Sequence, residues 1–291
     1  MSGKEHWTSK GDVKLFLWQK PAAGAPRGTI LFVHGSSMAS QPTFDLQVPG
    51  RADSSVMEWF AARGFDCWCM DHEGYGRSDK SRPINCDISN GADDIATASA
   101  YIGGKLLVYG ISSGALRAAL FTQRHPERVA RLALDAFVWT GEGSPTLAER
   151  RKKLAEFSAK NRRPIDRAFV KSIFTRDHPG TADEATINAF ACAILALDDS
   201  VPTGTYVDMC SRLPLVDPAK IPVPILVMRG EYDGIAGFDD LVEFYKRLPN
   251  ADKQFSVMAG ISHASFQQKN YLTAYHILHA FFTQPAPVYR G

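Results

Sequence analysis

The chain has 291 residues, 45% of them hydrophobic and 22% charged, with 33 basic side chains against 31 acidic ones. That near balance, +2 overall, excludes the electrostatic footprint expected of a nucleic-acid binder. No apolar run reaches the roughly 18 residues of a membrane span, and the opening MSGKEHWTSKGD lacks the apolar stretch of a secretion signal. Length allows two domains at most, or one large unit with an inserted lobe. Cys67, Cys69, Cys86, Cys192 and Cys210 are odd in number and form neither a CxxC pair nor a Cys/His cluster. Neither a disulfide framework nor a structural zinc is therefore expected, and a reducing cytoplasm is the expected location.

In chain order, apolar runs that end at turn residues predict strands at 13–18, 29–33, 65–70, 105–109, 129–134, 223–228 and 255–258. The middle runs are solid rather than alternating, as in strands covered on both faces. Between them, 54–62, 93–102, 113–124, 238–247 and 271–282 read as helices, long enough to cross back over a parallel sheet. The alternation predicts an α/β fold with helices on both sides. It breaks between about 137 and 219, where the sequence looks helical and charged and shows no strong strand. Thr146 with Glu149 and Thr181 with Glu184 have the spacing of capping boxes. Residues 149–171 carry nine basic side chains against three acidic ones, which reads first as a solvated helix face and second as an attraction for an anionic substrate. Pro214, Pro218, Pro222 and Pro224 mark the return to the sheet.

The strongest chemical signal is Gly110-Ile111-Ser112-Ser113-Gly114, directly after one predicted strand and before an amphipathic run. A serine on such a turn points its hydroxyl outward, and the flanking glycines remove side chains that would clash. The following helix aims its N–H groups and dipole at the same spot, favouring developing negative charge. Serine needs a base, and His263, in the loop after the last predicted strand, is the best placed of the eight histidines. His6, His125, His178, His276 and His279 read as surface or packing residues. Asp233, in a loop with two glycines after the strand at 223–228, is the favoured acid; Asp135 is the alternative and Glu231 a weaker third. His34-Gly35-Ser36-Ser37 follows an early strand and offers the second of the two donors an oxyanion needs. The expected pair is the backbone N–H groups of Ser36 and Ser113, with His34 propping the loop. Together with His34, the residues Phe137, Trp139, Phe190, Tyr206 and Met209 are candidates for lining a substrate pocket under the inserted lobe.

These motifs, with Val33-His34-Gly35 and the run Asp71-His72-Glu73-Gly74-Tyr75-Gly76-Arg77-Ser78, come in an order that resembles the α/β-hydrolase superfamily, serine esterases and lipases with a helical cap, over nearly the whole chain. The resemblance implies a mostly parallel central sheet with helices on both faces, a core of 1–137 and 219–291, and a cap at 138–218. It assigns the 71–78 run to a structural turn beside the pocket, and serine at the elbow separates the chain from dehalogenases and epoxide hydrolases. Ser113 departs from the bulkier residue of many relatives. The implied activity is hydrolysis of a small or medium-sized carboxylic ester or lactone through an acyl-enzyme, with no metal or organic cofactor. The same side chains could serve a thioesterase, an amidase, a C–C bond hydrolase or an acyltransferase. Cofactor-free oxygenation, cyanohydrin chemistry and a non-enzymatic ligand receptor stand further off. The expected partner is a small ester-like molecule, and self-association into a homo-oligomer stays open.

Overall fold

The computed structural model describes residues 2–289. Strand β1 (Lys4–Lys10) turns at Gly11 into β2 (Val13–Lys20), its antiparallel neighbour. There follow β3 (Gly28–Val33), α1 (Ser40–Phe44), α2 (Val56–Ala61), β4 (Phe65–Met70), α3 (Ile88–Ile102), β5 (Leu106–Ile111), α4 (Ser113–Arg124) and β6 (Val129–Asp135). Helices α5 (Pro145–Arg151), α6 (Leu154–Ala159), α7 (Arg167–Thr175), α8 (Glu184–Leu195) and α9 (Gly204–Ser211) come next, with β7 (Arg162–Pro164) and β8 (Ser200–Pro202) among them. The chain closes with β9 (Ile225–Gly230), α10 (Phe238–Arg247), β10 (Lys253–Met258) and α11 (Tyr271–Thr283).

Eight strands form one sheet in the order β1-β2-β4-β3-β5-β6-β9-β10, antiparallel at β1–β2 and β2–β4 and parallel from β4 onward. Alternate residues of the central strands feed two different cores. Leu31, Val33, Val108, Leu132, Leu134, Ile225 and Val227 meet α3, α4 and α10 on one face. Ile30, Phe32, Leu107, Tyr109, Ala133, Leu226 and Met228 meet α2 and α11 on the other. Both faces are dry, which is why these strands read as solid apolar runs. Among the described residues no helix is long and apolar enough to cross a membrane.

Three features depart from the sequence reading. β1 was not expected, because KEHWTSK has one large apolar residue and lies at the sheet edge. α3 begins at Ile88, capped by the Asp87 side chain on the Asn90 amide, five residues before the expected 93. Asn90-Gly91 looks like a turn, but a Cβ at Gly91 would sit 2.5 Å from Arg117 of α4, so this glycine serves helix contact. Neither expected capping box forms: the Ser144 hydroxyl caps α5, and Asp183 precedes α8 with no side-chain cap.

The segment between β6 and β9 has its own apolar cluster, in which Ile173, Phe174, Phe190, Ile194 and Tyr206 meet Met38 and Tyr75 of the main body. Arg162 of β7 donates to the Gly74 carbonyl (2.8 Å), and Asp208 of α9 accepts from the Ile88 amide (2.9 Å). The 71–78 turn beneath it is organised by Asp71, whose carboxylate accepts from the amides of Ser40 and Arg77.

Candidate active site

β5 runs straight into α4 through Ser112, whose φ of 58° and ψ of −127° lie outside the regions comfortable for a side chain. The turn is held by the Ser112 amide, which donates to the Asp135 carbonyl of β6 (2.9 Å). It is also possible only with glycines around it. A Cβ at Gly110 would come 2.5 Å from the Gly114 carbonyl oxygen, and one at Gly114 would come 2.4 Å from the Val33 carbonyl oxygen. Strain at one non-glycine residue, paid for by tight packing around it, is the pattern expected of a functional position.

The parallel strands bring three loops to this spot. His263, after β10, places Nε2 2.9 Å from the Ser112 hydroxyl and Nδ1 3.1 Å from both carboxylate oxygens of Asp233, after β9. Asp233 also accepts from the amides of Ile235 (2.8 Å) and Ala236 (3.2 Å). Burial alone would raise its carboxyl, but the adjacent His263 and these donors outweigh burial and bring it down to about 2. Arg229, the last side chain before the loop, is 8% exposed and donates to the carbonyls of Ala236 (2.8 Å) and Asp233 (3.0 Å). It clamps the loop that carries the acid. Its signal in the sequence is an arginine inside an otherwise apolar strand, Ile225–Gly230.

The other acids stand elsewhere. Asp135 is fully buried behind the elbow and accepts from the Tyr109 hydroxyl (2.6 Å), not from His263. Burial and the nearby charge of Asp233, opposed by that hydroxyl, raise its carboxyl to about 7. Glu231 accepts from the Gly260 amide (2.9 Å) and braces the histidine loop from outside. Asp177, after α7, stands in no motif of the sequence. Its carboxylate, with Asp233 and His263, offers ligand atoms within 4.8 Å of one another. Asp177 Oδ1 is engaged with Thr146 (2.9 Å) and Arg176 (3.3 Å) and His263 with Asp233, while Asp177 Oδ2 is buried with no hydrogen-bond partner.

Ser36 and Ser113 also meet, joined by a 2.6 Å bond from the Ser36 hydroxyl to that of Ser113. Ser113 opens α4, and first-turn amides have no partner within a helix. His34 lies behind the loop: Nδ1 donates to the Gly35 carbonyl (2.8 Å) and Nε2 accepts from the His72 amide (3.1 Å). Burial, aided by His72 and Arg117, pushes its pKa well down, so the ring is neutral and serves as a prop.

The cleft at Ser112 is narrow and lined by Ser36, Ser37, Met38, Arg150, Ile173, Arg176 and His263. None of the six expected pocket residues is among them. Phe137, Trp139 and Met209 belong to the core under the sheet, with Phe137 against Phe244 (4.7 Å) and the Trp139 indole donating to the Val216 carbonyl (3.0 Å). Phe190 packs inside the segment between β6 and β9, edge-on to Phe174. Tyr206 comes nearest, its hydroxyl 2.5 Å from that of Ser37.

A mostly parallel eight-stranded sheet, helices on both faces and a serine at this elbow define an α/β-hydrolase. The chain belongs to the hydrolase family described as serine aminopeptidase, S33, whose model matches residues 24–270. Similar solved structures include an esterase (EaEST) from Exiguobacterium antarcticum, 17% identical over 97% of this chain and 100% of its own, with a TM-score of 0.73. A thermophilic esterase from Thermogutta terrifontis is 19% identical over 97% and 98%, with a TM-score of 0.69. E-2-(acetamidomethylene)succinate hydrolase is 18% identical over 97% and 100%, with a TM-score of 0.71. At such identities the likeness is one of fold.

Two variants test this geometry through stability. Gly114→Ala forces a methyl into backbone oxygens that cannot yield, and is expected to cost about 3 kcal/mol in denaturant unfolding. A loss under about 0.5 kcal/mol would mean the elbow relaxes freely. Asp135 gives a pH signature. Its folded-state carboxyl titrates at about 7 against an ordinary 3.8, so the native state holds the extra proton between those values and loses stability as pH rises through them. The loss is about 1.4 kcal/mol per pH unit. Asp135→Asn removes it, so the variant's melting temperature should gain on the wild type from pH 4.5 to 7.5; parallel pH curves for the two proteins would contradict the assignment.

Proposed function

We propose that the protein is a serine hydrolase that cleaves a small or medium-sized carboxylic ester or lactone through an acyl-enzyme. The observation that carries this reading is the continuous hydrogen-bonded chain Ser112–His263–Asp233, 2.9 Å and 3.1 Å long at its two links. His263 takes the hydroxyl proton as Ser112 attacks the carbonyl carbon, and Asp233 holds the imidazole with Nδ1–H toward itself and stabilises the imidazolium. The N–H groups of Ser36 and Ser113 receive the oxyanion, a contribution of about 3 kcal/mol per donor in related chemistry. His263 then gives its proton to the leaving alkoxide, the tetrahedral intermediate collapses, and an acyl group remains on Ser112. Water, deprotonated by the same imidazole, releases the acid. Side chains, backbone N–H groups and water supply every step.

Esterases on the same fold support the ester, and the family's description as an aminopeptidase keeps the amide as the alternative. Within this reading, residues 138–218 form a cap over the core of 1–137 and 219–291. Arg150, Ile173 and Arg176 support the cap, since this segment contributes them to the cleft wall at Ser112. The cysteines are all unpaired, which supports a reducing compartment such as the cytoplasm.

A fluorophosphonate probe should label the wild type on the peptide that contains Ser112 and leave Ser112→Ala unlabelled. The same variant should lose at least about 10³-fold in kcat for a phenyl ester while melting normally. Labelling elsewhere, or turnover retained in Ser112→Ala, would contradict the proposal.

A further inference from the structure

Arg150 at the end of α5 and Arg176 just after α7 line the cleft at Ser112 and also an adjoining cavity of about 600 Å³. Arg163 of β7 reaches the same cavity. No carboxylate among the described residues pairs with Arg150 or Arg163; their guanidinium groups rest on rings, Arg150 on Tyr206 (5.3 Å) and Arg163 on Phe169 (4.4 Å). Arg176 turns Nε to Asp177 Oδ1 (3.3 Å); its Nη2 is buried with no hydrogen-bond partner, and so is Asp177 Oδ2. Burial, with the charges of Arg176 and Arg163, lowers the Arg150 pKa to about 10, still far above neutrality. Glu149, also on the cavity wall, pairs outward with Lys152 (2.6 Å), and the exposed Lys153 and Glu156 offset each other in charge.

Two guanidinium groups therefore stand beside the nucleophile and a third on the wall of the adjoining cavity, where Asp177 is the one carboxylate that pairs with any of them. An orphaned buried N–H of a charged group is costly, and like charges brought together add to the cost. A ligand anion removes both penalties. Arginine's planar fork matches a carboxylate through paired N–H donors.

Resting on the serine-hydrolase reading, we infer that the substrate carries a carboxylate close to its scissile acyl carbon, and that Arg150 and Arg176 hold it, with Arg163 alongside, while the carbonyl meets Ser112. The small cleft takes the reacting carbonyl, and the wider cavity takes the charged end. The class this describes is the hemiester of a dicarboxylic acid or an ester of similar charge.

The test compares phenyl hydrogen glutarate with phenyl hexanoate, whose acyl groups have equal length and differ in terminal charge. The wild type should prefer the anionic ester by about thirtyfold in kcat/KM, and the preference should fall below about threefold in Arg150→Met and in Arg176→Met. Arg150→Lys should keep part of it, and Lys152→Met, a surface charge outside the cavity, should keep it all. Calorimetry on the full chain with glutarate, hexanoate and inorganic phosphate reads the site without turnover. Glutarate should bind and weaken about tenfold in each methionine variant. Glutarate that fails to bind, or binds the variants equally, overturns the inference, as does tighter binding of phosphate or a preference for the neutral ester. Absent fluorophosphonate labelling of Ser112 sinks the hydrolase reading, whereas labelling without a charge preference sinks only the carboxylate.

Discussion

The site depends on one imidazole that spans a hydroxyl and a carboxylate coming from opposite parts of the chain. His263 can do so because β5, β9 and β10 all run parallel and end at the same edge of the sheet. Ser112 follows the first, Asp233 the second and His263 the third. The neighbouring β6 lies between β5 and β9, and its last residue lends the carbonyl that fixes the Ser112 amide. Much of the surrounding construction serves this meeting: the glycines of the elbow, the Arg229 clamp on the acid loop, and the Glu231 brace under the histidine loop.

Two buried aspartates at the same edge show how environment divides roles. Asp233 gains an imidazole and two backbone amides, and its carboxyl falls to about 2. Asp135 gains one tyrosine hydroxyl, keeps one oxygen without a partner, and rises to about 7. Desolvation acts on both, and donors decide the outcome. A carboxylate that is charged at every working pH suits the support of an imidazolium, and one that titrates near neutrality does not.

The parts of the fold written in local pattern were legible in the sequence. Solid apolar strands, the glycine-serine turn between a strand and a helix, and the order of serine, acid and histidine each depend on neighbours a few residues away or on chain order alone. β1 was hidden because an edge strand with a polar face carries little apolar signal. The substrate side was hidden for a different reason. Large aromatic residues after β6 were expected to face the serine, but Phe137 and Trp139 turn under the sheet against Phe244 of α10. The cleft wall came from arginines in the basic stretch at 149–171 and just beyond it, first read as a solvated helix face. Composition registers that excess charge, but only tertiary structure shows that Arg150 from that stretch, with Arg176 beyond it, lies beside Ser112 without adequate partners.

The arrangement of Ser112, His263 and Asp233 requires a particular tautomer of neutral His263, with the proton on Nδ1 facing Asp233 and Nε2 bare toward the serine. Free histidine in water prefers the other form, so the tautomer reports the carboxylate directly. Nitrogen NMR on histidine-labelled protein reads it without any substrate. The account predicts an Nδ1–H signal for His263 that moves to Nε2–H in Asp233→Asn. A wild-type His263 already protonated on Nε2 would contradict it.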